Sequence, residues 1–328
     1  MRVITYLQAV CEALTEEMDR EERVIMIGED IGVYGGGFGI FEGIDKKYAA
    51  RGQIIETPIS ENTFVGAGAA MAMMGYRPVI EIMFSDFLTL AADQLINHSA
   101  KYRMMTGGQV SVPLVVRTPA GAGTGAAAQH AQSVEALFLN TPGLKVVMPS
   151  TPYDAKGLMK AAIRDDNPVI FFEHKLLYKM DGEVPEVDEE YIVPLGKGDI
   201  KRVGGDITVV AHSIMVPRAL CAAKILAKEG IELEIVDPRT LYPLDEDIII
   251  KSVIKTKRLM IVHEAPRNNG FGAEVAARVM ESEAYSLLKA PLKRLAGLDM
   301  PVPFSPSIEK KAIPQVEDIV ETARSMCR

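Results

Sequence analysis

The sequence predicts an α/β protein made of two doubly wound domains, each with a parallel sheet covered by helices on both faces. Three observations support this fold class. Short runs of β-branched and other apolar residues alternate with segments of helical periodicity along nearly the whole chain. The short runs are almost continuously apolar, which is typical of parallel strands buried on both faces. An acidic segment without periodicity divides the 328 residues into two such patterns.

The first pattern, residues 1–180, predicts one domain. Apolar residues at helical spacing predict helices at 5–20, 61–74, 87–105, 133–139 and 153–163. Between them, β-branched runs predict buried strands at 24–28, 79–82, 114–116, 145–147 and 169–172.

The middle segment predicts a linker at 181–200, because it is acidic, lacks periodicity and contains Pro185 and Pro194. Residues 201–328 then predict a second α/β domain. Its strands are expected at 207–211, 233–236 and 259–262. Its helices are expected at 216–229, 245–255, 272–283 and 314–325.

Composition excludes several classes of protein. The net charge of −8 argues against a nucleic-acid partner. The longest apolar stretch, at 64–76, is too short to span a bilayer. Three widely spaced cysteines predict neither a disulfide framework nor a metal site, which favours a reducing compartment. Because no signal or transit pattern precedes the first helix, we expect a cytoplasmic protein without membrane contact.

Ligands of open parallel sheets bind at the carboxyl ends of the strands, so loops that follow strands hold the candidate site. The first loop, GEDIG at 28–32 followed by YGGGFG at 34–39, contains Glu29 and many glycines. It matches neither the dinucleotide fingerprint nor the P-loop. A phosphate cradle and a flexible interface loop therefore both stay open as interpretations.

Glu61 follows the loop TPIS at 57–60, and Ser60 is its predicted N-cap. The helix dipole alone also explains a carboxylate in this first turn. However, the helix that follows is so rich in Gly, Ala and Met that little of it is expected to face water. We therefore expect a partly buried carboxyl that can exchange protons near neutral pH.

Two further loops follow strands. The segment EIMFSDF at 81–87 brings Phe84 and Phe87 close together, either for core packing or for stacking on a flat ligand. The segment GAGTGAAAQHAQ at 121–132 places His130 among small residues, either as a structural histidine or as a residue with room for a substrate.

These stretches, in this order, resemble the β subunits of thiamine-diphosphate-dependent 2-oxo acid dehydrogenases. The resemblance covers essentially the whole chain and rests on TPISE at 57–61, EIMFSDF at 81–87, AQH at 128–130, VMPSTPYDA at 147–155 and VDPRTL at 236–241. Acetoin dehydrogenase β subunits are the most similar branch, through the segments at 149–156, 194–202, 243–247 and 301–306. HEAP at 263–266 is more similar to pyruvate and branched-chain relatives, so the substrate stays open among the three.

The resemblance implies a transketolase-like pyrimidine-binding domain followed by a transketolase C-terminal-like domain. It implies that Glu61 is the main catalytic residue and hydrogen-bonds the pyrimidine ring of thiamine diphosphate. Phe87, Phe84 and Glu29 would contact the cofactor, and His130 would face the substrate and the acyl carrier arm. The enzyme would cleave acetoin or decarboxylate a 2-oxo acid, and pass the acyl group to a lipoyl carrier.

One absence also carries information. Thiamine enzymes hold the diphosphate through Mg²⁺ in a Gly-Asp-Gly type loop, and the chain has no such segment. The resemblance therefore implies an α subunit that supplies the Mg²⁺ ligands within an αβ heterotetramer. The C-terminal domain would serve subunit assembly and dock a lipoyl acyltransferase core. A K⁺ ion at Asp165 and Asn167 is expected by analogy with some relatives.

Three other functions are consistent with parts of the sequence. The α/β alternation suggests an NAD-dependent dehydrogenase, but the dinucleotide fingerprint is missing after the first strand. A non-catalytic assembly module would have the same fold and depend on a partner for all chemistry. A self-sufficient transketolase-like synthase would need a diphosphate domain for which the chain is too short.

Overall fold

A computed structural model describes residues 1–32, 35–40, 45–187 and 189–327. Tyr34 of the glycine-rich loop and Asp188 of the expected linker lie outside these residues. The chain divides into two compact units. Unit 1 comprises Met1–Ala120 and Leu137–Leu195, and unit 2 comprises Gly121–Ala136 and Gly196–Arg328.

Unit 1 is built on a parallel sheet. The strands of this unit are β1 (Arg2–Thr5), β2 (Val24–Gly28), β3 (Ile54–Glu56), β4 (Arg77–Glu81), β5 (Val115–Ala120), β6 (Lys145–Val147), β7 (Val169–His174) and β8 (Asp181–Val184). Neighbouring strands of the sheet follow the order β6-β7-β5-β4-β2-β3, and each pair is parallel. All five strands predicted in this half are confirmed. Consequently, the loops after β2, β3, β4 and β5 leave the same edge of the sheet.

Helices cover this sheet. They are α1 (Tyr6–Arg20), α2 (Asp45–Ala49), α3 (Glu61–Met73), α4 (Ala100–Met105), α5 (Ala136–Leu139) and α6 (Pro152–Arg164). A capping box starts α1, in which Thr5 Oγ1 accepts from the Gln8 N–H and Gln8 Oε1 accepts from the Thr5 N–H. Thr151 caps α6, and Pro152 occupies its first turn, where a missing N–H costs nothing.

Some elements differ from those expected. The single helix predicted over 87–105 was wrong, because a 3₁₀ turn (Ser85–Thr89) and a π-helical turn (Gln94–Ser99) precede α4. The Ser99 hydroxyl donates to the Gln94 carbonyl, five residues earlier, which favours the wider turn. The segment 181–200 also contains regular structure, since β8 pairs antiparallel with β1 at the start of the chain.

Unit 2 has a second sheet. Its strands are β9 (Asp199–Arg202), β10 (Ile207–Ala211), β11 (Leu233–Asp237), β13 (Leu259–Pro266) and β14 (Lys293–Gly297), and the short strand β12 (Thr240–Tyr242) lies between β11 and β13 in the chain. The sheet order is β14-β13-β10-β11-β9, in which β9 alone is antiparallel to its neighbour. The helices are α7 (Met215–Leu226), α8 (Glu246–Thr256), α9 (Phe271–Glu281), α10 (Pro306–Ala312) and α11 (Val316–Cys327).

Each sheet of these two doubly wound units packs on an apolar core. In unit 2, side chains from β10, β11 and β13 pack against α7 and α11, and Ile207, Leu233 and Ile319 are fully buried. The segment 121–136 also packs with unit 2, although the sequence-based division placed it in the range 1–180. Over the residues that the structure describes, no helix combines the length and apolar character needed to cross a membrane.

Candidate functional site

Glu61 is the first residue of α3 and lies at the carboxyl edge of the sheet of unit 1. The loop that carries it is fixed to β2, because the Thr57 N–H donates to the Gly28 carbonyl at 3.0 Å. Ser60 precedes the helix, and its hydroxyl donates to Thr63 Oγ1 at 2.7 Å. The Glu61 residue is only 7% exposed. A buried carboxyl therefore lies at a helix N-terminus, where the dipole favours negative charge.

Glu29 follows β2 and lies close enough to Glu61 for the two charges to interact. Burial raises the pKa of the Glu29 carboxyl, the nearby charge of Glu61 raises it further, and the Ser60 N–H opposes the shift. Its Oε1 atom is buried, and no donor to it exists among the described residues. An orphaned carboxylate oxygen is costly to bury, and this fits a site completed by a polar ligand.

Phe84 and Phe87 lie at the same edge, after β4. Their ring centroids are 6.1 Å apart in an edge-to-face arrangement. Phe38 of the glycine-rich loop lies 5.8 Å from Phe84, and Lys175 Nζ lies 5.3 Å from the Phe84 centroid. The 3₁₀ turn at Ser85–Thr89 positions the two phenylalanines, and both rings stay partly exposed. Both are therefore available to a flat ligand.

A buried ion network supports this edge from inside the sheet, and sequence reasoning missed it. Arg117 on β5 donates to both Glu173 oxygens at 2.7 Å and also to Glu81 on β4. Glu81 in turn accepts the Gly37 N–H at 3.1 Å, which ties the glycine-rich loop to the network. The sequence signal that could have indicated this network is the presence of Glu81, Arg117 and Glu173 inside mainly apolar strands.

His130 lies in the segment that belongs to unit 2 and is partly exposed. Its backbone N–H donates to the Ala127 carbonyl at 3.5 Å, and Ala127 has a positive φ of 60°. The histidine is thus presented on a tight turn between small residues. Of the predicted site residues, Glu61, Glu29, Phe84 and Phe87 lie in unit 1, whereas His130 does not.

Asp165 and Asn167 form a different cluster. Asp165 Oδ1 accepts from the backbone and side-chain N–H groups of Asn167, both at 2.9 Å, and Asp165 Oδ2 pairs with Lys145. Asn167 Oδ1 accepts from Arg103 at 2.8 Å. Both side chains thus already bind protein cations. In the part of the chain that the structure describes, no three His, Cys, Asp or Glu side chains group to hold a metal.

Comparison with known proteins agrees with this fold. Residues 2–180 match the family model for the pyrimidine binding domain of transketolase, and residues 196–319 match the model for the transketolase C-terminal domain. A solved structure described as a split gene transketolase, an inactive β4 tetramer, superposes with a TM-score of 0.79. The superposition covers 98% of both chains at 21% identity. The predicted transketolase-like two-domain fold is confirmed.

Two relatives are much more similar in sequence. The 2-oxoisovalerate dehydrogenase subunit beta of Bacillus subtilis (strain 168) is 46% identical over 312 residues, which are 94% of this chain and 94% of that protein. The acetoin:2,6-dichlorophenolindophenol oxidoreductase subunit beta of the same organism is 46% identical over 331 residues, 97% of this chain and 96% of that protein. The chain therefore belongs to the family of β subunits of thiamine-diphosphate-dependent 2-oxo acid and acetoin dehydrogenases.

Proposed function

We propose that this chain is the β subunit of a dehydrogenase that cleaves acetoin, with Glu61 as its main catalytic residue. The observation that carries the proposal is the buried Glu61 carboxyl beside Glu29, whose Oε1 has no donor among the described residues. Segments similar to acetoin dehydrogenase β subunits favour acetoin, and the identity of 46% to one such subunit is consistent with this choice.

In the proposed mechanism, thiamine diphosphate supplies an electron sink for cleaving a bond next to a carbonyl carbon. Glu61 would hydrogen-bond a nitrogen of the pyrimidine ring and would exchange a proton with it. Glu29 takes up protons more readily than an exposed carboxyl and supports that exchange. Phe87 would pack against the pyrimidine ring and exclude water from it, and the Phe84 ring contacts the Phe87 ring and would hold it in place.

We further propose that His130 assists transfer of the acyl group to a lipoyl carrier on an acyltransferase core. An α subunit would supply the Mg²⁺ ligands, because this chain has no Gly-Asp-Gly loop. One face of α3 supports such a partner. Ala67 and Ala70 on this helix, and Met74 directly after it, are exposed and follow helical spacing. The K⁺ site at Asp165 and Asn167 stays a prediction, and no step of the mechanism depends on it.

A branched-chain 2-oxo acid is the second candidate substrate. HEAP at 263–266 favours it, and so does the identity of 46% to a 2-oxoisovalerate dehydrogenase subunit. Pyruvate is the third. A non-catalytic assembly module remains the alternative of another class, and it predicts that Glu61→Ala leaves the activity of the complex intact.

The test is reconstitution with the α subunit co-purified from the native host. Dye reduction is measured with thiamine diphosphate and Mg²⁺ on acetoin, 2-oxoisovalerate and pyruvate, with each subunit alone as the control. We expect turnover only in the mixture, and the highest kcat/KM with acetoin. A higher kcat/KM with another substrate would move the chain to that branch. Activity of this chain alone would disprove the shared site.

A further inference from the structure

The segment that carries His130 forms a closed loop on unit 2. The Gly121 N–H donates to the Gln132 carbonyl at 3.3 Å, so the two ends of the loop meet. Ala122 and Ala131, one from each end, are buried against Ile313, which follows α10. These contacts fix the base of the loop, whereas its middle, residues 123–130, is partly or fully exposed.

Glu309 on α10 holds the middle of the loop. Its Oε1 accepts the Gly123 N–H at 2.7 Å, and its Oε2 accepts the Gly125 N–H at 3.1 Å. Glu309 is 2% exposed, and both bonds are partly buried. Gly123 and Gly125 have φ angles of 102° and 69°, which turn both N–H groups toward one carboxylate. Charge-assisted bonds of this kind are stronger than bonds between neutral groups.

Glu264 on β13 holds the two ends of the same loop. Its Oε1 accepts the Ala122 N–H at 2.6 Å and the Ser133 hydroxyl at 3.2 Å. Glu264 is also almost fully buried, with 6% exposure. Two buried carboxylates from separate elements thus bind four donors of a single loop. Removal of Glu309 leaves the partly buried Gly123 and Gly125 N–H groups without their acceptor, and removal of Glu264 does the same to the buried Ala122 N–H, which disfavours the closed conformation.

We infer that Glu309 and Glu264 are positioning residues that hold the His130 loop in its closed conformation. This inference rests on the proposed role of His130 in acyl transfer. Neither carboxylate needs to touch the substrate, because each acts through the backbone of the loop. Loss of Glu309 should therefore loosen residues 121–132 and slow the same step that loss of His130 slows.

The experiment uses the reconstituted αβ complex with four variants: Glu309→Gln, Glu309→Ala, His130→Ala and Glu281→Gln. Glu281 is an exposed residue at the end of α9, so its variant is the matched control. Hydrogen exchange of peptides covering 121–132 reports on the loop. Dye reduction and acylation of a free lipoyl domain report on the two halves of the reaction. Glu309→Gln keeps the side-chain shape, so it remains informative if Glu309→Ala fails to fold.

In both Glu309 variants, we expect hydrogen exchange of the loop to be at least tenfold faster than in the wild type. In Glu281→Gln, we expect it to equal that of the wild type. Lipoyl acylation should fall by about tenfold or more in the Glu309 variants, as in His130→Ala. Unchanged exchange would overturn the inference whatever the activities are. Faster exchange with wild-type acylation would also overturn it if His130→Ala is impaired. If His130→Ala acylates normally, the proposed role of His130 fails, and the exchange data alone decide whether Glu309 holds the loop.

Discussion

Glu29 shows how its surroundings can raise the affinity of a carboxyl for protons. Glu29 and Glu61 both lie at the carboxyl edge of one sheet, and Glu61 starts α3. Glu29 has no helix of its own, and burial together with the charge of Glu61 raises its pKa. A carboxyl whose pKa is raised in this way holds a proton at a higher pH than an exposed carboxyl does.

The first prediction concerns Glu61→Gln, which keeps the size of the side chain but removes its ability to exchange a proton. We expect kcat of the reconstituted complex to fall by roughly 10²–10⁴-fold, the usual contribution of a general acid or base. Glu22→Gln, at an exposed position of the same unit, is the control. A loss smaller than about tenfold, with folding and cofactor binding intact, would remove Glu61 from the mechanism.

The second prediction concerns Glu135, which is fully buried and whose carboxylate has no donor in any other described residue. Burial, and then the charge of Glu264, raise the pKa of Glu135 from 4.5 to about 7. Stability from the neutral form is complete below pH 4.5 and is lost as the pH rises toward 7. The loss is on the order of 3 kcal/mol, at about 1.4 kcal/mol per pH unit.

Glu135→Gln stays neutral and should remove this pH dependence. Free energies of unfolding in urea, measured at half-unit steps from pH 5 to pH 8, test the prediction. The variant should gain stability relative to the wild type as the pH rises, while Glu281→Gln should follow the wild type. Parallel curves for Glu135→Gln and the wild type would show that Glu135 titrates at its ordinary pKa.

The place of a single residue in the fold was predictable where position along the chain carried the information. Glu61 was predicted because it follows a strand and starts a helix, and both features are local in sequence. The network of Glu81, Arg117 and Glu173 was missed because it depends on the pairing of strands that are distant in sequence. Glu81 faces Arg117 across β4 and β5, and no local pattern specifies that register.

Among the elements, α1 and α6 pack through ion pairs as well as apolar contacts. Glu17 on α1 is fully buried and accepts from Arg164 on α6 at 3.0 Å. Lys160, only 1% exposed, pairs with Glu16 at 3.0 Å. Removing one partner of a buried pair leaves an uncompensated charge, so each pair makes the relative position of the two helices specific.

The third prediction concerns Gly143, which lies between α5 and β6. Its φ of 103° and its close approach to α4 both exclude a side chain, since a Cβ atom would lie 2.0 Å from the Ala100 carbonyl oxygen. Gly52 is the matched control, because it has a φ of 71° but no atom within 4 Å of such a Cβ. Both substitutions add backbone strain of roughly 1–2 kcal/mol, and only Gly143→Ala also adds a backbone clash.

We therefore expect Gly143→Ala to lose at least about 2 kcal/mol more stability than Gly52→Ala, a large effect for a single substitution. Urea unfolding of the two variants at one pH measures the difference. Equal losses would mean that α4 moves away from Gly143 at little cost, and that the close approach is not required for folding.

At the scale of elements, the strands were predicted well because a continuous apolar run reports burial directly. The helix expected over 87–105 failed for a different reason. Its apolar periodicity is real, but the 3₁₀ and π-helical turns that replace its first part are set by side-chain bonds such as that from Ser99 to Gln94. Periodicity does not encode these bonds. Segment 121–136 was likewise unpredictable, because its carboxylate partners lie more than 130 residues away.

For the whole molecule, the proposed division of labour between two subunits has a consequence for cofactor binding. This chain has a buried carboxyl and aromatic rings, which we propose bind the pyrimidine, but no Gly-Asp-Gly loop for a metal-bound diphosphate. A diphosphate that carries several negative charges needs a metal or a set of donors to leave water. The chain alone should therefore bind only weakly, through the pyrimidine.

The fourth prediction follows from this division. In isothermal titration, thiamine diphosphate should bind the αβ mixture tightly in Mg²⁺, lose that binding in EDTA and regain it on Mg²⁺ addition. The chain alone should give weak binding that EDTA does not change. Because the sequence has no tryptophan, any tryptophan fluorescence change on binding must come from the partner. Tight, EDTA-sensitive binding by this chain alone would mean that this chain supplies the Mg²⁺ ligands. An α subunit would then be needed for assembly of the complex and not for binding the cofactor.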